Sequence, residues 1–101
     1  MTTNQLERIS EMERRLDLIK QATRELTASL DRYIEVQGDI KLLDEYYGSE
    51  DWRRDFDDDA ADRLPQNLKR GVLSEDAVWD TLSDIRTLNE RLGDLAQTLH
   101  K

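Results

Sequence analysis

The sequence predicts an all-α protein, built as a long antiparallel helical hairpin of coiled-coil type with a short capping helix and ordered loops between its two long helices. Apolar residues recur every three or four positions through both ends of the chain, 38% of the residues are charged, and the only proline lies in the middle. We expect one helical domain over residues 1–101. It divides into a long helix (4–47), a capping segment (48–73) and a second long helix (74–100).

The first long helix is predicted by two rows of apolar residues. One row repeats every seven residues from Met12 to Tyr47, and a companion row begins at Ile9. Rows spaced alternately by three and four residues form the seam of a helix that packs against other helices. The companion row moves by one position in its second half, so the apolar face rotates near Gly38, where glycine costs roughly 1 kcal/mol relative to alanine. The sequence leaves open whether the helix is continuous there.

The capping segment begins with residues that stop one helix and start another. Tyr46 and Tyr47 end the first helix, and Gly48 occupies the position of a left-handed cap. Ser49 can cap a short helix that opens with two acidic residues. Apolar residues at intervals of four predict one ridge along this helix. The ridge consists of Trp52, Phe56, Ala60 and Leu64.

The second half of the capping segment is predicted to be a loop. Pro65 disfavours helical geometry at Leu64, so the short helix should end by about Asp62 or Arg63. Gly71 allows a tight turn towards the second long helix. We expect the segment to fold over a small aromatic core, which consists of Tyr47, Trp52, Phe56 and Trp79.

The second long helix has clear start signals. Ser74 is a favourable N-cap, and Glu75 and Asp76 place negative charge against the positive end of the helix dipole. Leu73 and Val78 are spaced as a hydrophobic staple. The apolar seam that follows is Val78, Leu82, Ile85, Leu88, Leu92, Leu95 and Leu99.

The two long helices differ in length. At 1.5 Å per residue they span roughly 64 Å and roughly 39 Å, so an antiparallel pairing leaves the N-terminal apolar stripe without an intrachain partner. We expect a second copy of the chain to cover it, giving a homodimer; another helical protein, or a first helix that folds back at Gly38, would be the alternative. The stripe is Leu6, Ile9, Met12, Leu16 and Ile19.

The run YYGSEDW, followed by LPxxLKRGVLSEDAVWDTL, resembles the bacterial domain-of-unknown-function 4298 family over residues 42–82. The resemblance implies a small bacterial, predominantly helical protein with no established activity, and it assigns no chemical role to any residue. The matching residues are Tyr46, Tyr47, Gly48, Trp52, Leu64, Pro65, Leu68, Lys69, Arg70, Gly71, Leu73, Ser74 and Asp76.

Composition excludes several classes of function. The net charge of -8 argues against nucleic acid as a partner, because binding phosphates needs a basic face. No apolar run is long enough for a membrane span, and the N-terminus lacks the apolar region of a signal peptide. The chain has no cysteine, so disulfides and thiolate metal sites are excluded. We expect a cytoplasmic protein without a membrane segment.

Three acidic residues suggest a calcium loop, but the pattern is incomplete. Asp55, Asp57 and Asp59 occupy its first, third and fifth positions, whereas the required glycine and glutamate are replaced by Ala60 and Gln66. A solvated acidic helix face is the better interpretation. No metal is expected.

Catalysis has little support. The only histidine is His100, at a terminus, so no histidine-based triad can be assembled. Lys69, Arg70 and Gly71 precede a helix start and could bind an anion, but a phosphate loop is absent. A local role is the better interpretation of these three residues. We expect no enzyme activity and no cofactor.

A protein-binding role remains. Trp, Tyr and Arg are common at interface hot spots. If Trp52 or Trp79 is exposed, the central segment is a docking surface, and if both are buried they form core. The candidate interaction residues are Trp52, Arg53, Lys69, Arg70 and Trp79. We expect a non-catalytic interaction module of adaptor, regulator or immunity type; an acidic inhibitor that mimics nucleic acid, or a small anion-binding module, are the alternatives.

Overall fold

The computed structural model describes residues 2–100, and the predicted all-α fold class is confirmed over that range. Four α-helices and one turn of 3-10 helix follow one another, and no strand occurs among the described residues. The elements are α1 (Thr3–Glu35), α2 (Gln37–Tyr46), α3 (Glu50–Ala60), a 3-10 turn (Gly71–Leu73) and α4 (Glu75–Leu99).

The stretch predicted as one helix over 4–47 forms two helices, separated at Val36. The side-chain amide of Gln37 donates to the backbone carbonyl of Tyr33 at 2.9 Å. That carbonyl is the one to which an uninterrupted helix directs the backbone N–H of Gln37. Helical hydrogen bonding resumes at once, because the N–H of Ile40 donates to the carbonyl of Val36. The interruption thus lies two residues before Gly38.

The chain divides into two compact units between Ile40 and Lys41. The first unit contains α1. Thr2 caps its start, because the Thr2 hydroxyl accepts a hydrogen bond from the N–H of Gln5. No residue of α1 is buried. The second unit contains the apolar core of the described chain, which consists of Trp52, Leu73, Val78 and Leu82.

Gly48 closes α2, and Ser49 caps the start of α3. Gly48 adopts a φ of +81°, the left-handed conformation that glycine adopts without a steric penalty. The hydroxyl of Ser49 accepts a hydrogen bond from the N–H of Trp52 at 3.1 Å, which satisfies one of the unpaired donors at the helix start. The chain therefore turns sharply between α2 and α3.

α3 ends at Ala60, earlier than the position of Pro65 requires. The N–H of Arg63 donates to the carbonyl of Asp58, and the N–H of Asp62 donates to the carbonyl of Asp59. Asp62 has a φ of 58°, so this is the C-terminal motif in which one left-handed residue closes the helix. The predicted apolar ridge stops with it: Leu64, half-buried, lies outside the helix.

α4 begins at a cap that the preceding turn supports. The hydroxyl of Ser74 accepts a hydrogen bond from the N–H of Ala77 at 3.3 Å. Leu73 and Val78, on either side of this cap, are both buried. The 3-10 turn at Gly71 thereby brings Leu73 into the core just before α4 starts.

Candidate functional site

An aromatic cluster fixes the centre of the second unit. Trp52 packs edge-on against Tyr47, with ring centroids 5.3 Å apart, and stacks on Phe56 at 5.2 Å. Its indole N–H donates to the carbonyl of Val72 at 2.9 Å. Because its side chain is only 6% exposed and its polar atom is paired, Trp52 is a core residue and has no free surface for a partner.

Trp79 was predicted to belong to this cluster, but it lies on the surface. Its side chain is 56% exposed. Each residue turns a helix by about 100°, so Trp79 points roughly 100° away from Val78, the buried residue before it. The seam formed by Val78 and Leu82 already indicated this in the sequence. Trp79 is therefore a surface tryptophan, and it is the aromatic candidate that a partner could reach.

Arg70 is committed to the loop that follows α3. Its guanidinium donates to the carboxylate of Asp59 and to the backbone carbonyls of Pro65 and Leu68. The Arg70 and Asp59 side chains are 32% and 25% exposed, so the ion pair is partly shielded from water. An arginine whose donors are used in this way closes the loop and is poorly placed to bind an anion.

Tyr46 makes a contact that the sequence did not indicate. Its phenol donates to the carboxylate of Asp55 at 2.5 Å and joins the end of α2 to α3. Burial, followed by the hydrogen bond and the negative charge of Asp55, raises the pKa of Tyr46 to about 12. Nine residues separate the pair, and no pattern in the sequence marks such a spacing.

An open groove of about 480 Å³ lies beside the start of α4. Its volume is within the range of small-ligand pockets, but its walls are mostly apolar and it is open to solvent. Lys69 lines it, is exposed, and has no ion-pair partner within residues 2–100. The lining residues are Leu43, Lys69, Gly71, Val72, Ala77, Val78 and Thr81.

The outer face of α3 carries charges of both signs. Arg53 is exposed there, and Arg54 lies 3.9 Å from Asp51. Beyond the helix end, Arg63 pairs with Asp58 at 3.2 Å. Exposed pairs of this kind contribute little stability. The face is thus a solvated surface of mixed charge.

Two of the acidic residues of α3 have hydrogen-bond partners within the second unit. Asp55 receives the Tyr46 phenol and Asp59 receives the Arg70 guanidinium, so two of the three calcium-loop positions already have partners. Among residues 2–100, no cluster of three or more potential metal ligands is present.

The apolar stripe of α1 is exposed along its length. The five residues predicted to form an interface, Leu6, Ile9, Met12, Leu16 and Ile19, are between 43% and 63% exposed. Leu26 and Leu30 extend the stripe. A contiguous exposed apolar face of this length is unusual on a monomer, and such faces commonly mark interaction sites.

No helix within residues 2–100 is long and apolar enough to cross a membrane.

These features describe an all-α domain with a small aromatic-centred core and a long helix that exposes an apolar face. The chain belongs to the domain-of-unknown-function family DUF4298, whose model matches residues 9–94, and the resemblance predicted from the central motif is confirmed at the level of the family. No curated protein and no solved structure matched the chain.

Proposed function

We propose that this protein is a non-catalytic, cytoplasmic protein–protein interaction module, an adaptor or regulator that self-associates through the apolar stripe of α1. The observation that supports the proposal is the exposure of Leu6, Ile9, Met12, Leu16 and Ile19 on one face of a helix that buries none of its residues.

The size of the stripe suits a homodimer. Fully burying one apolar side chain stabilises by roughly 1.5–3 kcal/mol, so covering a half-exposed one contributes roughly 1 kcal/mol. Five such residues on each of two chains contribute on the order of 10 kcal/mol, which exceeds the lower estimates of the 4–15 kcal/mol cost of association. Leu26 and Leu30, on the same stripe, add to the favourable side of this balance.

The alternatives have weaker support. An anion-binding module would need Arg70, and its donors are used by Asp59 and by two loop carbonyls. An acidic mimic of nucleic acid needs a row of unpaired carboxylates on one face. Asp55 and Asp59 are paired within the domain instead.

The test is the solution mass of the protein, measured by sedimentation velocity over a range of concentrations. We expect a wild-type dimer and a Leu16→Asp monomer, because the new carboxylate would have to be buried in the interface. The matched control is Leu18→Asp. Leu18 is 53% exposed but lies about 160° around the helix from Leu16, so this variant should remain dimeric.

A wild type that stays monomeric at every concentration contradicts the proposal. So does a Leu16→Asp variant that dimerises as tightly as the Leu18→Asp control, because the stripe would then not be the interface.

A further inference from the structure

We propose that α1 pairs with a second copy of itself in antiparallel orientation, in the register that places Leu16 opposite the partner's Ile19. The inference rests on the self-association proposed above. It adds the direction of the two helices and their alignment.

Apart from Leu6, the apolar stripe consists of two heptad rows; Leu6 lies one heptad before Glu13, at the edge of the stripe. The first row contains Ile9 and Leu16, and the second contains Met12 and Ile19. When two such helices run in opposite directions, the first row of each faces the second row of the other. With Leu16 opposite the partner's Ile19, the neighbouring layers join one apolar pair and one mixed pair. Ile9 then faces the partner's Leu26, and Met12 faces the partner's Thr23.

Charged residues flank the stripe and distinguish the two orientations. Arg8 and Arg15 each come one residue before the first row and lie on one edge. Glu13 and Lys20 each come one residue after the second row and lie on the other edge. One edge is therefore purely basic, and the other carries one charge of each sign.

An antiparallel pair brings equivalent edges together. Glu13 then meets the partner's Lys20, twice by symmetry, and Arg15 meets the partner's Ala22, which is uncharged. A parallel pair brings opposite edges together and places Arg15 against the partner's Lys20. This like-charge contact, also formed twice, offsets the attraction between Arg8 and the partner's Glu13.

The same charges select the register. A shift of one heptad in one direction places Glu13 against the partner's Glu13. A shift in the other direction places Lys20 against the partner's Lys20. The proposed alignment is the one of these three without a like-charge contact along the Glu13–Lys20 edge.

The structure leaves these two charges available. Glu13 and Lys20 are exposed, and neither has an ion-pair partner in the described part of the chain. Arg15 already lies 3.1 Å from Glu11 of its own helix. Glu13 and Lys20, which the antiparallel register brings together, are therefore not compensated by ion pairs within the chain.

Cysteine cross-linking of the full chain tests the orientation, because the chain has no cysteine of its own. Under mild oxidation, the double variant Met12→Cys with Thr23→Cys should form a covalent dimer, since these positions face each other across the interface. Each single variant should stay uncross-linked, because the two copies of one position are then roughly 16 Å apart along the helix.

A charge reversal gives a second readout that needs no oxidation. Lys20→Glu should weaken the dimer by roughly tenfold, because the new carboxylate faces the partner's Glu13. Adding Glu13→Lys to that variant should restore the wild-type affinity. Arg24→Glu, which changes net charge equally but lies off the stripe, is the control and should leave the affinity within about twofold.

The outcomes separate the two proposals. A dimer in which Met12→Cys alone cross-links, or in which Lys20→Glu tightens binding by facing the partner's Arg15, overturns the antiparallel register and leaves the interaction module standing. A wild type without any dimer overturns both.

Discussion

Arg70 and Asp59 form an ion pair across eleven residues of chain, and this pair holds the loop between α3 and the 3-10 turn in place. The same guanidinium reaches the carbonyls of Pro65 and Leu68, so one side chain makes three of the hydrogen bonds that hold the loop. Arg70, a candidate for binding an external anion, therefore stabilises the loop of its own chain.

Arg70→Ala should lower the free energy of unfolding by about 1–2 kcal/mol, because it removes a partly shielded charge pair and two bonds to loop carbonyls. Urea unfolding followed by circular dichroism measures the change. Arg63→Ala is the control: its pair with Asp58 is exposed on the arginine side, and the loss should stay below about 0.5 kcal/mol. Equal losses in the two variants would contradict the role given to Arg70.

Trp52 and Trp79 should respond oppositely to truncation. Trp52→Ala should lower the free energy of unfolding by about 3–5 kcal/mol and unfold much of the second unit, because it leaves a large cavity in the core. Trp79→Ala should change stability by less than about 0.5 kcal/mol. Trp52→Phe removes the hydrogen bond to Val72 together with part of the buried ring, and should cost at least about 1–2 kcal/mol but less than Trp52→Ala. Thermal and urea unfolding measure all three. A large loss from Trp79→Ala would show that this side chain is not on the surface.

Tyr46 should make the protein sensitive to alkali. Its pKa is raised to about 12 in the folded chain, against an ordinary value near 10, so the folded state favours the neutral phenol. The stabilisation is complete below pH 10 and is lost as the pH rises towards 12, at no more than about 1.4 kcal/mol per pH unit. The difference in unfolding free energy between wild type and Tyr46→Phe, followed over this range, isolates the effect from lysine titration.

Ultraviolet absorbance at high pH supplies the direct check. One of the three tyrosines should ionise near pH 12 in the folded wild type, and that transition should be missing from Tyr46→Phe. If all tyrosines of the wild type ionise together near pH 10, the phenol of Tyr46 is not held by Asp55.

Two glycines should respond with opposite signs to alanine. Gly48 has a φ of +81°, so alanine there adopts a strained backbone and should cost about 1–2 kcal/mol, although no atom crowds the added methyl group. Gly93 lies inside α4 with open space around it, so Gly93→Ala should stabilise by about 0.5–1 kcal/mol. Thermal midpoints of the two variants on either side of the wild type would agree with this; a stabilised Gly48→Ala would contradict it.

Periodicity and caps explain why much of the fold was predictable. Apolar repeats of three and four residues predict α1 and α4 from local sequence alone. Ser49 and Ser74 likewise cap helices through hydrogen bonds to residues three positions away. The interruption at Val36 was harder, because it depends on where the Gln37 side chain turns. Gly38 indicated only that the helix could be interrupted near this point.

The candidate site was less predictable, because its contacts join residues whose spacing follows no period. The Tyr46–Asp55 and Arg70–Asp59 pairs depend on how two segments fold over each other. Asp62 closes α3 in a left-handed conformation, which aspartate adopts more readily than most residues but which no pattern in the sequence assigned to this position. Trp79 is a different case. Its position next to the Val78–Leu82 seam already indicated an exposed side chain, but its aromatic character favoured a place in the core.

The core of the second unit has a consequence for how fast it forms. Its four buried residues lie between Trp52 and Leu82, and the tryptophan bond to Val72 spans only 20 residues. Few distant parts of the chain must therefore meet before apolar area is covered. Domains with such local connectivity fold in roughly microseconds to milliseconds, and this unit can begin to do so once Leu82 has left the ribosome.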